Sequence, residues 1–351
     1  MTIKVLIIDD SALARQVLSQ ILASDPDIEV VGTASDAHIA LNKIRTLNPQ
    51  VLILELKMQE MDGLVFLERL MKTQPLPVVV VSTLGQKDAP ASVAALKLGA
   101  VSVIAKPKAD LRHQLQELST EIIQAVKTAP PVKTVRVRPE TPASAVSRKQ
   151  TEMSVSQSST PYQVIAFGAS TGGTEALMEV LKALPPSIPP IVIVQHMPPG
   201  FTRSFAAMLN DQTALSVKEA VTGDILRSGH VLLAPGDQHM VLKTVGNGLF
   251  MVELHEGEPV NRHRPSVDVL FHSVASVVGK QALGIIMTGM GNDGAQGLLE
   301  MKQAGAQTIA QDEKSCVVFG MPKIAIQKGA VDFVLPLSAI SFKLLSLTGL
   351  I

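Results

Sequence analysis

The chain has 351 residues, more than most single domains contain, so two domains with separate cores are expected. Hydrophobic residues make up 46% of the sequence while tryptophan is absent, which predicts aliphatic cores such as parallel sheets buried on both faces. Lys plus Arg and Asp plus Glu both number 31, so no net charge draws the chain to nucleic acid or to an anionic membrane.

The N-terminus leads directly into an aliphatic segment that ends at Asp9, without the basic region and cleavage site of a signal peptide. No run of about 20 uninterrupted apolar residues occurs. We therefore expect a cytoplasmic protein that is not inserted into a membrane. The single cysteine, Cys316, excludes an internal disulfide, and no Cys or His lies near it at metal-ligand spacing.

Residues 3 to about 127 alternate short aliphatic runs with helical patterns. Apolar residues recur at helical spacing between the runs, as at Leu13, Val17 and Ile21. Five β-α units predict a parallel sheet wrapped by helices, a flavodoxin-like domain that spans residues 1–127. The predicted strands are 5–8, 28–33, 51–54, 77–81 and 101–105.

Polar side chains follow the predicted strands of this domain: Asp9 and Asp10 after the first, Ser82 after the fourth and Lys106 after the fifth. Neighbouring carboxylates are hard oxygen ligands for Mg²⁺, and a hydroxyl and an ammonium group can bind phosphoryl oxygens. As a set these residues resemble the phosphoryl-receiving site of a response-regulator receiver domain. The resemblance implies an Mg²⁺ site at Asp9 and Asp10.

The third predicted strand departs from that family. Where receivers carry the phosphoacceptor aspartate, the sequence has Glu55, and Lys57 and Gln59 stand where an acid and a proline are common. One extra methylene moves the carboxylate roughly 1.5 Å into the space of the phosphoryl group. Glu55 then either bonds Lys106 and mimics the activated state, fixes an inhibitory pose, or leaves control to partner binding. We favour control that does not depend on phosphorylation.

Residues 128–160 lose apolar periodicity and are rich in Pro, Ser, Thr and Val. They are predicted to form a flexible linker, which at roughly 30 residues would span on the order of 30 Å. The two domains it joins could therefore dock against each other or separate.

From residue 161 to 351 a second β-α alternation predicts a doubly wound α/β domain. The turn-rich stretch 214–254 predicts β-hairpins inserted into that frame. The predicted elements are strand 163–167, a helix to about 184, strand 190–195, a helix from about 201, helix 266–278, strand 282–288, helix 294–304, strand 307–310 and a final helix.

Ser170 lies in the turn Gly168–Gly173, which fits the pattern G-x-S-x-G between a strand and a helix. This arrangement raises a serine onto a strained turn at the carboxyl end of a strand. A phosphate cradle at the start of the helix and a plain tight turn are alternative interpretations.

His196 and Asp293 each follow a predicted strand, as Ser170 does, so the three side chains can converge at one sheet edge. An imidazole can accept the serine proton and a carboxylate can orient the imidazole. The order Ser, His, Asp argues against the α/β-hydrolase family. The Met290 N–H is the candidate oxyanion donor, with Thr171 in support. The remaining rival bases by residue type are His230, His239, His255, His263 and His272.

These segments closely resemble the chemotaxis protein-glutamate methylesterase family. The further matching segments are Gln195–Pro198, Leu233–Gly236, His263–Asp268, Thr288–Gly294 and Cys316–Pro322. The resemblance implies hydrolysis of γ-glutamyl methyl esters on chemoreceptors, often with deamidation of receptor glutamines. It makes Ser170 the nucleophile, His196 the general base and Asp293 the orienting acid. It also implies a receiver that covers the active site until a histidine kinase phosphorylates it.

Acyl transfer of this kind requires no metal or organic cofactor. Two other functions are compatible with parts of the sequence. The turn Gly168–Gly173 could make a nucleotide-binding module, although strand 190–195 is followed by His196 rather than by an acid for a ribose. A receiver-linked transcription factor would need a basic recognition helix after the linker, and the sequence has no such pattern.

Overall fold

The computed structural model describes residues 2–58, 62–83, 89–106, 115, 118–129, 161–246 and 248–351. Most of the predicted linker lies outside these ranges, as does Gln59. The two α/β domains predicted from the sequence are both present in the described ranges.

The N-terminal domain is a sheet of five parallel strands in the order β2-β1-β3-β4-β5, the flavodoxin-like order. All five predicted strands are confirmed within a residue or two. The strands are β1 (Ile3–Ile8), β2 (Ile28–Ala34), β3 (Val51–Leu54), β4 (Val78–Ser82) and β5 (Ser102–Ala105). The helices are α1 (Ala12–Ala23), α2 (Ala37–Leu47), α3 (Gly63–Thr73), α4 (Ala89–Lys97) and α5 (Ser119–Lys127).

Both faces of this sheet are buried because side chains alternate along each strand. On β1, Leu6 and Ile8 pack into one hydrophobic cluster, while Val5 and Ile7 pack into the other. The carboxyl ends of β1, β3 and β4 carry Asp9, Glu55 and Ser82 to one edge of the sheet, and all three are buried.

The C-terminal domain contains a sheet of seven parallel strands in the order β14-β13-β12-β6-β7-β9-β8. Its strands are β6 (Val164–Ala169), β7 (Ile191–Gln195), β8 (Ser216–Glu219), β9 (His230–Leu233), β12 (Ala282–Ile286), β13 (Gln307–Gln311) and β14 (Phe333–Leu335). Its helices are α6 (Gly173–Lys182), α7 (Phe201–Gln212), α8 (Val267–Val277), α9 (Ala295–Gln303), α10 (Met321–Gln327) and α11 (Leu337–Leu347).

The inserted hairpin is β10 (His239–Thr244) paired antiparallel with β11 (Phe250–His255). Only this second half of the turn-rich stretch forms a hairpin, because β8 and β9 join the parallel sheet instead. Burial explains the difference: Val231 and Leu233 pack into the same core as α6 and α7. The hairpin covers the other side of the sheet and packs against α8.

Helix α10 and edge strand β14 were not predicted separately from the sequence. Both are short, and β14 is only partly buried, so neither gives a clear periodic pattern. Among the helices of the described ranges, none is both long and apolar enough to cross a membrane.

The two domains contact each other where helix α4 and edge strand β5 of the N-terminal domain face the carboxyl ends of the C-terminal strands. Phe201, at the start of α7, is buried in the same hydrophobic cluster as Ala95 and Phe66 of the N-terminal domain. Helix α4 packs on α7 at this contact. The loops that follow β6, β7 and β12 therefore face the N-terminal domain across a cleft.

Candidate active site

Three polar residues predicted from the sequence follow neighbouring strands at one edge of the C-terminal sheet. Ser170 follows β6, His196 follows β7, and Asp293 lies in the loop after β12. The chain passes from β6 to β7 on one side of the sheet and later returns to β12 on the other side of β6. The crevice between β6 and β12 is therefore a topological switch point. Ligands of open α/β sheets bind in the crevice at such a point.

The Ser170 turn is held by backbone contacts on both sides. The Ser170 N–H donates to the Thr288 carbonyl at 3.0 Å, and the Gln195 amide donates to the Ser170 carbonyl at 2.9 Å. Gly172 has φ +78°, a left-handed conformation that favours glycine. A Cβ on Gly289 would lie 2.8 Å from the Ser170 Cβ. The neighbouring loop thus approaches the serine as closely as a glycine permits.

His196 and Asp293 are in direct contact: the His196 Nε2 lies 2.7 Å from the Asp293 Oδ2. The His196 Nδ1 is buried and has no hydrogen-bond partner among the described residues. With Nε2 bonded to the carboxylate, Nδ1 is the ring nitrogen that remains free to accept a proton. Ser170 lines the same cleft as His196.

The Asp293 carboxylate is fully buried and accepts several further hydrogen bonds. Ser266 Oγ donates at 2.7 Å, Asn261 Nδ2 at 2.9 Å and the Val267 N–H at 2.7 Å. Burial alone would raise the pKa of Asp293, but hydrogen bonds from His196, Ser266 and Asn261 hold it below its usual range. Asp293 therefore stays ionised. The sequence interpretation did not assign Asn261 or Ser266, although Ser266 belongs to a segment it singled out.

A tight turn, Val260 to His263, supplies two of the side chains around this pair. The N–H groups of Val260 and His263 each donate to the other's carbonyl, and the central residues Asn261 and Arg262 have φ of 51° and 69°. Two successive positive φ values are typical of a type I′ turn. Asn261 also donates to Asp268 at 2.7 Å.

His263 stacks on His196, with ring centroids 3.7 Å apart and planes inclined by 10°. Burial, together with the charge of His196, lowers the pKa of His263 to about 4. From the sequence, His263 is a rival base and the first residue of the matching segment His263–Asp268, with no assigned role. The structure places it on the face of the His196 ring, and Asp293 rather than His263 lies in hydrogen-bonding contact with that ring.

The cleft around Ser170 has a volume of about 1130 Å³ and is lined from both domains. Thr171 and Met290, the predicted support and oxyanion residues, line it from the C-terminal domain. Glu121 of α5 lines it from the N-terminal domain. Burial raises the pKa of Glu121, and the charge of nearby His196 opposes that rise.

The predicted receiver residues also converge. Lys106 Nζ lies 2.6 Å from the Glu55 Oε2 and 2.6 Å from the Asp9 Oδ2, and all three side chains are buried. Ser82 Oγ donates to the Glu55 Oε1, and the Thr83 N–H donates to the Oε2 at 3.1 Å. Glu55 therefore bonds the hydroxyl and the ammonium group that were expected to bind phosphoryl oxygens.

Both Asp9 carboxylate oxygens are engaged, one by Lys106 and the other by the Ser11 N–H at 2.9 Å. Asp10 is exposed. Within the described ranges, no three His, Cys, Asp or Glu side chains are grouped so that they could hold a metal ion. As arranged, these residues do not fit Mg²⁺, because the Lys106–Asp9 pair would have to open first. Magnesium binding stays a prediction of the sequence alone.

The other four histidines that were predicted as rival bases lie away from the Ser170 turn or are already paired. His239 Nε2 bonds the Glu258 carbonyl at 3.0 Å, and His272 pairs with Glu300 on the surface. His230 begins β9 and His255 ends β11, and neither lines the cleft. Burial raises the pKa of the Cys316 thiol to about 12, so this thiol is not a ready nucleophile.

Fold and site together define a class: a receiver-type domain joined to a doubly wound α/β domain with a Ser, His and Asp set at its switch point. The chain matches the models of the response regulator receiver domain over residues 5–116 and of the CheB methylesterase over residues 165–344. The chain belongs to the CheB methylesterase family.

Curated relatives match nearly the whole chain. A protein-glutamate methylesterase/protein-glutamine glutaminase of Nitrosomonas europaea is 50% identical over 98% of this chain and 96% of its own length. One from Geobacter metallireducens is 52% identical over 95% of this chain and 93% of its own length. The solved catalytic domain of Thermotoga maritima CheB methylesterase is 42% identical, with a TM-score of 0.52. It covers 53% of this chain and 98% of that domain.

Proposed function

We propose that this chemotaxis methylesterase hydrolyses γ-glutamyl methyl esters on chemoreceptors, with Ser170 as nucleophile, His196 as general base and Asp293 as the orienting acid. The observation that carries the proposal is the 2.7 Å contact between His196 Nε2 and Asp293 Oδ2, which leaves the Nδ1 free in the cleft of Ser170. The membership of the chain in the CheB methylesterase family supports the same activity. The setting that we propose is the cytoplasm.

In the first half-reaction, the Ser170 Oγ bonds to the ester carbonyl carbon and its proton passes to the His196 Nδ1. The C–OCH₃ bond then breaks and methoxide takes that proton, so methanol leaves. Water next attacks the acyl-enzyme and gives a proton to His196. That proton returns to the Ser170 Oγ as the acyl bond breaks and the glutamate is released.

Charge develops twice during this sequence, on the carbonyl oxygen and on the imidazole. The Met290 N–H, in the cleft after β12, is our candidate donor to the oxyanion, with Thr171 in support. The buried Asp293 carboxylate would stabilise the imidazolium. Each step uses only side chains and water.

Glutaminase activity would follow from the same chemistry. A glutamine amide offers the same carbonyl carbon, and ammonia replaces methanol as the leaving group once His196 returns the proton. Both named relatives carry this second activity in their names.

The direct test is methanol release from methylated receptor by the full chain and by Ser170→Ala. We expect the variant to lose activity by at least about 10³-fold while its unfolding transition is unchanged. A folded Ser170→Ala that releases methanol at the parental rate would contradict the proposal. A thermal shift with nucleotide, in the same samples, tests the alternative use of the Gly168–Gly173 turn.

We further propose that the receiver controls access to the cleft without being phosphorylated at Glu55. The contact of Phe201 with the N-terminal domain supports a docked arrangement. The bonds from Glu55 to Lys106, Ser82 and the Thr83 N–H support the idea that its carboxylate takes the place of a phosphoryl group. A histidine kinase of the pathway would then meet this receiver without transferring phosphate to it.

Acetyl phosphate with Mg²⁺ tests this control, applied to the parent and to Glu55→Asp. We expect no phosphoryl label on the parent and a phosphodonor-dependent change in methanol release only in the variant. Labelling of Glu55 together with faster turnover in the parent would overturn this part of the proposal.

A further inference from the structure

The face of the His196 ring is covered by a second imidazole, although the hydrogen bonds of the site do not require one. His263 stacks on it with centroids 3.7 Å apart and an inclination of 10°, so the two rings are nearly parallel. At this separation the two imidazoles are in van der Waals contact face to face. An imidazole held only at its Nε2 can still swing about that bond, and a ring packed on its face limits the swing.

The turn that carries His263 is itself fixed to the carboxylate. Asn261 donates to both Asp293 and Asp268, so the turn is anchored to the residue that binds the His196 Nε2. The reciprocal backbone bonds between Val260 and His263 fix the turn's two ends. The turn therefore cannot shift away from His196 without breaking contacts at Asp293.

We propose that His263 is a positioning residue, whose neutral ring holds the His196 imidazole in the plane that joins Asp293 to Ser170. The inference rests on the proposed roles of Ser170, His196 and Asp293. His263 itself exchanges no proton with the substrate.

Burial, more than the charges around it, favours the neutral form of the His263 ring. It faces His196 on one side, with Asp293 beyond that ring and Arg262 on its own turn, and Glu121 of α5 faces His196 across the cleft. Burial, with a smaller contribution from the neighbouring His196, keeps the pKa of His263 low, at about 4. A cation at position 263 would instead oppose the imidazolium that forms when Ser170 loses its proton.

Three variants of the full chain separate positioning from bulk structure. His263→Ala removes the ring, and we expect kcat for methanol release to fall by about 10- to 100-fold with KM within about threefold. His263→Phe restores a flat ring that cannot titrate, and should recover activity to within about fivefold of the parent. His272→Ala is the matched control, because His272 is exposed, pairs with Glu300 and does not line the cleft. Its kcat should equal that of the parent.

His263→Lys adds a second readout, the pH profile, which reports whether a charge at position 263 acts on His196. The added cation makes His196 harder to protonate, so the acid-side fall of the kcat profile should move to lower pH by about 0.5–1 unit. The plateau of kcat should fall at the same time, because the imidazolium formed in the reaction is destabilised.

The inference would be overturned by a kcat of a folded His263→Ala within twofold of the parent, or by equal losses in the Phe and Ala variants at equal thermal stability. An unmoved acid limb in His263→Lys would do the same. Failure of the proposed function is distinguishable, because it would appear as activity in Ser170→Ala. An inactive Ser170→Ala beside a fully active His263→Ala refutes only the role of His263.

Discussion

The Asp293 carboxylate accepts bonds from a ring nitrogen, a hydroxyl, a side-chain amide and backbone N–H groups, and it is excluded from solvent. So many donors around one buried carboxylate are typical of an anion that must stay ionised while it orients a partner. Its partner here is His196, so the network as a whole serves one imidazole.

We expect Asp293→Asn to lower kcat for methanol release by about 10³- to 10⁴-fold, because the amide cannot stabilise the imidazolium and favours the wrong tautomer. Steady-state assays on methylated receptor check this. Asp224→Asn, which removes a surface partner of Lys218, is the control and should leave kcat unchanged. A loss of less than tenfold in Asp293→Asn would count against its assigned role.

Glu55 is the second residue with a defined energetic role. Glu55→Gln removes one of the two carboxylates around the buried Lys106 and should lower the free energy of unfolding of the N-terminal domain by about 3 kcal/mol. Urea denaturation measures this. Glu68→Gln breaks the exposed pair with Lys72 and should cost less than about 1 kcal/mol. Equal losses in the free energy of unfolding would mean that the buried pair stabilises the domain no more than the exposed pair does.

At the scale of the elements, the loop after β12 matters because it brings Gly289 against Ser170. Gly289→Ala would place a Cβ 2.3 Å from the Met321 Sδ and 2.8 Å from the Ser170 Cβ, so the serine turn must shift. We expect kcat to fall by at least about 100-fold, since displacement of about 1 Å is enough for such a loss.

The control for that substitution is Gly246→Ala, in the turn of the β10–β11 hairpin. Its φ is +87° and a Cβ there meets nothing within 4 Å, so we expect a stability loss of about 1 kcal/mol and an unchanged kcat. Thermal denaturation and methanol release measure the two effects. If Gly289→Ala were as active as Gly246→Ala, the loop would not constrain Ser170.

The strands and the edge at which the three residues meet could be predicted because Ser170 and His196 directly follow aliphatic runs and Asp293 lies in the loop after another. Other parts had no such signal. The turn at Asn261 and Arg262 adopts positive φ without a glycine, so the sequence lacks the residue that usually predicts such a turn. The stack of His263 on His196 joins segments far apart in the chain, and only tertiary packing brings them together.

Strands β8 and β9 illustrate the same limit. Turn residues around them predicted hairpins. In the structure β8 pairs parallel with β9, because the apolar side chains of β9 are buried against α6 and α7, and the sequence around β8 and β9 does not show that contact. Likewise Glu55 could be placed after β3 from the sequence. Its bonds to Ser82 and to the Thr83 N–H required the geometry of the folded sheet edge.

At the scale of the whole molecule, α5 presents Glu121 to the cleft of the other domain, so docking of the domains and protonation of this acid are linked. Its pKa is raised when docked because burial disfavours the charged form, although His196 partly opposes this. A raised pKa means that the docked state binds the proton more tightly. Docking is therefore strongest at low pH and weakens as pH rises above the ordinary value of 4.5.

Small-angle scattering between about pH 5 and 8 should then show the parent chain expanding as pH rises. Glu121→Gln, which stays neutral, should remain compact over the same range. Parallel curves for the two proteins would show that Glu121 does not set the pH dependence of docking.

The carboxylate of Glu55 lies among the groups that would otherwise hold a phosphoryl oxygen. A phosphoryl group on an aspartate hydrolyses, so its departure gives a signal a lifetime. Glu55 is part of the chain and cannot depart. If its network sets the state of the receiver, that state has no decay time, and the cell can end it only by binding the protein or by degrading it.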